Sequence, residues 1–174
     1  MKIILLGYMG SGKSAVGLVL ADLLNFKFLD LDHFIEREES MEIPEIFKEK
    51  GEIYFRKREH QILKDILKNE NQLVLSLGGG TPCYSNNMDL IKSHNDAVTI
   101  YLKASLANLT NRLINEKEHR PLLSQITSKE ALSEFIAKHL FERRPYYNQA
   151  DFEIVVDDQK VETIAREILL DLYQ

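Results

Sequence analysis

Cysteine is nearly absent from this 174-residue chain: the single Cys83 leaves no internal disulfide framework and suits a reducing compartment. Basic residues are not in excess either. Lys plus Arg number 22 against 27 Asp plus Glu, a formal net charge of -5, so the clustered basic face of a nucleic-acid binder is not expected. An anionic ligand has to be held by a few placed cations, because the overall field repels it. Long apolar runs are missing as well. The run near the start, Ile3 to Leu6, falls far short of the ~20 residues that span a bilayer and of the roughly 7–15 of a secretory h-region. His33, His60, His94, His119 and His139 show no metal-ligand spacing. No internal repeat or low-complexity stretch is visible. What remains is 44% hydrophobic, enough for one domain with a real core. That domain is expected to be cytoplasmic, with neither nucleic acid nor membrane as partner.

Short apolar runs alternate with helical patterns. Strands are expected at Lys2–Leu6, Lys27–Leu31, Gln72–Leu77, Ala97–Leu102 and Phe152–Val156, apolar on consecutive positions as in strands covered on both faces. Helices are expected at Lys13–Leu24, Asp32–Ser40, Pro44–Lys50, Gly51–Lys68, Asn86–His94, Ser105–Asn115, Ser128–Arg144 and Val161–Leu172. Pro44 suits a first helical position, and Thr127 with Glu130 reads as a capping box. The strand–helix alternation without a composition break predicts one doubly wound α/β sheet. The acidic run Glu36, Glu38, Glu39, Glu42 and Glu45 reads as a solvated helix face. The polar stretch 115–127 lacks a clear period; in a compact domain such a length points to a functional or mobile loop.

Gly7-Tyr8-Met9-Gly10-Ser11-Gly12-Lys13-Ser14 follows a predicted strand and opens a predicted helix. This is the G-x-x-x-x-G-K-[ST] phosphate loop in the context that confirms it. Its glycines let successive N–H groups turn inward on phosphate oxygens, and the helix N-terminus adds positive potential. Lys13 is expected to reach the β- and γ-phosphates and the Ser14 hydroxyl to ligate magnesium. Tyr8 and Met9 read as packing residues, with contact between the tyrosine and a substrate as the alternative. A nucleotide switch of the small-GTPase kind would need an Asn-Lys-x-Asp segment, which is absent.

Asp30-Leu31-Asp32 falls at the C-terminal end of the second strand, where open α/β sheets bind ligands. If the tripeptide stays extended, its two carboxylates face opposite ways: one for magnesium through water, the other for an acceptor hydroxyl. Helix capping is the competing explanation. The third strand ends in Ser76 without an acidic residue, which raises the importance of Asp30. Gly78-Gly79-Gly80 follows, suited to unusual torsions and to a ligand lying against the backbone. Arg56, with Glu59 one turn on to orient it, and Arg143 and Arg144 suggest bidentate capture of a carboxylate. Arg120, in the aperiodic stretch, suits a closing cation over the phosphates. His33 reads as a polar helix-start residue.

Taken together, GYMGSGKS at 7–14, LDLD at 29–32, FRKRE at 55–59, SLGGG at 76–80, IYL at 100–102, RPLL at 120–123 and RRPYYNQAD at 143–151 resemble the shikimate kinase family over nearly the whole chain. The resemblance implies a three-layer P-loop kinase fold of the nucleoside-monophosphate-kinase type. Its five parallel strands would run in order 2-3-1-4-5, in a single domain spanning 1–174. A substrate-binding helical region would lie at about 32–60 and a lid at about 115–127. It implies ATP-dependent phosphorylation of the 3-hydroxyl of shikimate by a monomer, with Mg²⁺. By the same resemblance, ATP would contact Gly10, Ser11, Gly12, Lys13, Ser14, Ala15, Arg112 and the lid Arg120. Asp30 would assist the metal through water, beside Ser14. Asp32 would meet the acceptor hydroxyl, Arg56 and Arg143 the carboxylate, and Gly78, Gly79 and Gly80 the ring. The catalytic set would be Lys13, Asp32 and Arg120. One departure is the short Asp157-Asp158-Gln159-Lys160 link, where the family commonly carries a longer loop against the adenine. Another sugar-acid kinase of the same fold and a non-catalytic switch are the alternatives.

Overall fold

In the computed structural model, which describes residues 1–115, 123 and 126–173, the elements follow one another as strand and helix. They are β1 (Lys2–Leu6), α1 (Lys13–Leu24), β2 (Lys27–Asp30), α2 (Leu31–Glu39), α3 (Ile43–Asn69), β3 (Leu73–Ser76), α4 (Asn87–Lys92), β4 (Ala97–Lys103), α5 (Leu106–Leu113), α6 (Lys129–Tyr147), β5 (Phe152–Val155) and α7 (Val161–Leu172). All strand pairings are parallel and the order is β2-β3-β1-β4-β5, as expected. Parallel pairing sends every connection back over a face of the sheet. Every residue of β1 and β3 is therefore buried. The edge strands β2 and β5 are partly exposed, contrary to the expectation that all five are covered, because an edge has a neighbour on one side only. Among the described residues no helix is long and apolar enough to cross a membrane.

Local signals set most boundaries, and several details differ from expectation. On α1 the buried positions are Lys13, Val16, Gly17, Leu20 and Ala21, while Leu23 is half exposed. A Cβ on Gly17 would stand 2.5 Å from the Phe28 ring, so the small residue, not the apolar stripe, decides how closely helix and strand approach. The two helices expected around residue 50 run together as α3, broken at Gly51 by φ 81° and ψ 168°. Pro44 is the second helical residue of α3, not the first. The N-cap of α6 is Ser128, which accepts from Ala131 N–H at 3.1 Å, not Thr127. That helix also runs three residues past Arg144, through Pro145, and ends where Asn148 N–H returns to the Arg144 carbonyl.

The acidic run is not a purely solvated face. Glu42 and Glu45 form the capping box of α3, and Glu36 accepts from the Ile43 N–H. Glu39, whose side chain is only 6% exposed, accepts from Lys50 (2.9 Å), Tyr54 (2.7 Å) and Arg58 (2.6 Å). Three donors from α3 thus hold the end of α2. The Lys50 bond first, then those of Tyr54 and Arg58, pull the Glu39 carboxyl down to about 2. Glu39→Gln is expected to cost about 1–3 kcal/mol of stability at pH 7 in urea unfolding. Because the folded carboxyl titrates below the unfolded one, this contribution is full above about pH 5 and fades as the pH falls toward 2. The parent should therefore lose its advantage over the variant on acidification.

Candidate active site

Strands β1, β2 and β3 end side by side, and their C-terminal ends carry the polar groups. After β1 the chain turns through Gly7, Gly10 and Gly12, with φ of 147°, 79° and 93°. Only residues without a side chain adopt such values readily. The turn leads into α1, whose N-cap is a glycine with no side-chain acceptor and whose first turn has no acid. No side-chain cap competes for its N-terminal N–H groups, a position that suits an anion. Lys13 is buried, and its ammonium donates to the Gly7 (2.9 Å) and Tyr8 (3.1 Å) carbonyls. From α5, Arg112 donates to the Gly10 carbonyl at 3.0 Å, tying that helix to the loop.

Beside Lys13 lies an oxygen cluster. Ser14 Oγ donates to Asp30 Oδ2 at 2.6 Å and stands 3.4 Å from Ser76 Oγ. Asp30 Oδ1 accepts from the Asp32 and His33 N–H groups and caps α2. The Asp30-Leu31-Asp32 tripeptide is thus not extended as expected. Helix α2 begins at Leu31, because Asp30 captures the first free amides. Capping and metal assistance are not exclusive, since one oxygen serves the helix and the other faces Ser14. His33 is exposed at the helix start.

The glycine triplet brings the remaining predicted residues together. A Cβ on Gly78 would lie 2.6 Å from Asp32 Oδ1; on Gly79, 3.5 Å from an Arg143 nitrogen and 3.2 Å from the Met9 amide; on Gly80, 3.0 Å from an Arg56 nitrogen. None of the three has a positive φ, so the expectation of unusual torsions fails. Close approach is what requires them: each glycine admits a different charged side chain. Burial pushes the Asp32 carboxyl up to about 6, helped by the neighbouring Asp30 and Glu59 charges and opposed by Lys13. Burial likewise raises the thiol of Cys83 to about 11, against the pull of Arg143 and Arg56.

Arg56 is fixed on several sides. It donates to Glu59 at 2.9 Å, its guanidinium lies 3.9 Å from the Tyr84 ring centre, and the almost fully buried Glu59 also accepts from Thr81 Oγ1 at 2.7 Å. Its Nε, 3.5 Å from a Glu52 carboxylate oxygen, makes no hydrogen bond, and neither does the buried Ser11 Oγ. Arg143 and Arg144 part company. Arg143 reaches the triplet, whereas Arg144 is exposed and lines a groove with Tyr101, Lys103 and Glu153. Adjacent residues on a helix point about 100° apart. Ala15 opens the exposed side of α1. Arg120 and most of the 115–127 segment lie outside the described residues.

Some contributors were given no role from the sequence, although Tyr147 falls within the RRPYYNQAD stretch. The Tyr147 hydroxyl donates to the Gly79 carbonyl at 2.5 Å, and Asn87 donates to the Thr81 carbonyl while meeting His60 at 2.7 Å. Phe135, His139, Arg143 and Tyr147 recur every fourth residue along α6, a spacing that puts them on one side of the helix. Among the described residues no group of three His, Cys, Asp or Glu could hold a metal.

A phosphate loop opening a helix, a raised carboxyl and two arginines around an amide-lined floor define a P-loop phosphotransferase for a small acidic acceptor. The family model for shikimate kinase matches residues 9–173. The shikimate kinase of Flavobacterium psychrophilum is 46% identical over 167 residues, 96% of both chains. Among solved structures, shikimate kinase from Bacteroides thetaiotaomicron superposes with a TM-score of 0.91 at 32% identity, covering 100% of this chain and 99% of that one. The enzyme from Acinetobacter baumannii in complex with shikimate gives 0.88 at 34%, covering 99% and 92%. The chain belongs to the shikimate kinase family. The switch and sugar-acid kinase alternatives are set aside.

Proposed function

We propose that this protein transfers the γ-phosphoryl group of ATP to the 3-hydroxyl of shikimate, giving shikimate 3-phosphate and ADP on the way to chorismate and the aromatic amino acids. The convergence of Asp32, Arg143 and Arg56 on Gly78, Gly79 and Gly80 carries this reading, because it sets one carboxylate and two guanidinium groups around a space floored by backbone. In this reading the domain is single over 1–174 and acts as a cytoplasmic monomer on small molecules. Its acceptor region is at about 32–60 and its lid at about 115–127.

Phosphoryl transfer passes through a loose transition state, so placement and charge neutralisation count for more than base strength. Gly10, Ser11, Gly12, Lys13, Ser14 and Ala15 surround the triphosphate. Lys13 moves from its loop carbonyls to the β- and γ-phosphates, and Arg112 lies by the base. Arg120, outside the described residues, is assigned the neutralisation of phosphate charge. Arg56 and Arg143 clasp the acceptor carboxylate, and Gly78–Gly80 let the ring approach. Asp32 accepts the hydroxyl proton as the bond to phosphorus forms. The Ser14, Asp30 and Ser76 oxygens are hard donors of the kind Mg²⁺ takes. Ser14 would hold the ion directly and Asp30 through water, and the ion would neutralise phosphate charge.

A coupled assay of ADP release with purified protein, Mg²⁺-ATP and shikimate tests the reading. Turnover that depends on shikimate and is absent with gluconate supports it, and ATP binding without transfer rejects it. In the same assay Arg143→Ala should raise KM for shikimate by about 10- to 100-fold with little change for ATP, the loss of one charge-assisted pair. Arg144→Ala, its exposed neighbour, should leave both within about twofold. Equal effects on the two substrates would remove Arg143 from the acid site.

A further inference from the structure

The two arginines at the glycine triplet are supported differently. Arg56 has the Glu59 carboxylate at 2.9 Å, while Arg143 has no carboxylate within 4 Å among the described residues. A long side chain that must meet a planar acid with both nitrogens needs to be aimed in advance. Beside Arg143 stands Tyr8, from the phosphate loop. The residue is 1% exposed and the Arg143 guanidinium carbon is 5.3 Å from its ring centre, within the range of a cation over an aromatic face. The Tyr8 hydroxyl meets His139 Nδ1 at 3.1 Å, one helical turn before Arg143 on α6. His139 in turn packs on Phe135, with ring centres 4.2 Å apart.

We propose that Tyr8 is a positioning residue for Arg143, its ring supporting the guanidinium and His139 fixing the ring, so that affinity for the acid is set from within the phosphate loop. This rests on the assignment of Arg143 to the shikimate carboxylate. An aromatic face suits this task better than a carboxylate. It attracts the cation without occupying the in-plane N–H groups that the acid needs. Burial, and the nearby charge of Arg143, hold the His139 imidazole toward its neutral form, which leaves a ring nitrogen able to accept from the phenol. The Tyr8 carbonyl also accepts from Lys13, so one residue touches both the phosphate-binding and the acid-binding cation.

Steady-state kinetics of three variants test the proposal. Tyr8→Leu should raise KM for shikimate about tenfold and leave KM for ATP within about twofold, and Tyr8→Phe, which keeps the ring, should recover shikimate KM to within about threefold of the parent. A purely structural role for Tyr8 would move both KM values together, and that result, or an unchanged shikimate KM in Tyr8→Leu, overturns the proposal. If Tyr8→Leu does not fold, Tyr8→Met removes the ring while keeping a side chain of similar reach. The same split in KM is expected there, and parental values overturn the proposal. A parent protein that transfers nothing to shikimate overturns the proposed function and this inference together. A parent that does, with the split missing, overturns this inference alone.

Discussion

Lys13→Met is expected to lower kcat for shikimate phosphorylation by about a thousandfold or more, with the circular dichroism spectrum and cooperative unfolding retained. The reason is where the charge sits. The ammonium is buried at the start of α1 and held by two carbonyls of the loop that would surround the triphosphate. In a loose transition state charge accumulates on the phosphoryl oxygens, and a preorganised cation there is worth about 10²–10³ in rate or more. The fold should survive because methionine fills much the same volume and β1 and α1 are fixed by apolar burial. There is a second consequence. Lys13 is the charge that pulls the Asp32 carboxyl down, so in Lys13→Met that carboxyl should titrate above its parental value of about 6. Carboxylate titration followed by NMR would read this directly. A kcat within tenfold of the parent would remove Lys13 from the chemistry.

Asp32→Asn is the second large effect, and it runs in opposite directions for activity and stability. Loss of the proposed proton acceptor should lower kcat by about 10²–10⁴-fold. In the parent, kcat/KM for shikimate should climb through about pH 6 as the free carboxyl ionises, and the variant should lose that limb. Stability follows from linkage. The folded carboxyl, at about 6, holds its proton more tightly than the unfolded one. Ionising it therefore destabilises the native state as the pH rises from about 4 through 6, and the cost is full above that range. Asparagine keeps the shape without the charge beside Asp30 and Glu59. At pH 8 the variant should be more stable than the parent by about 1–3 kcal/mol, with the difference gone near pH 4. A variant less stable at pH 8 would mean that Asp32 is held by favourable partners instead.

The opposite behaviour of Glu39 and Asp32 shows why two acids on one helix could not be told apart by their spacing. Both belong to α2. One ends under three donors from α3, the other against Gly78 and close to two further carboxylates. Which neighbours each meets depends on how α2 lies against α3 and the end of β3, and no window of sequence contains that. The same holds for the arginines. Arg143 and Arg144 are equivalent as a pair of basic residues ending a helix, and only the roll of α6 about its axis sends one to the triplet and the other to solvent.

What the linear order of residues settled by itself was whatever depends on contacts within a few positions. The extents of β1, α1 and α7, the break at Gly51 and the phosphate loop were all legible there, whereas the sheet order came only through the family resemblance. Backbone torsion, hydrogen bonding to the next turn and the period of apolar residues are local, and a local signal is written in adjacent letters. Tertiary structure alone decided the pairing of Tyr8 with His139, 131 positions apart, the hold of Tyr147 on Gly79, 68 positions apart, and the raised carboxyl of Asp32. These arise where separate strand ends and helices meet. Burial and electric field are sums over everything packed nearby, and they exist only once the chain has closed on itself.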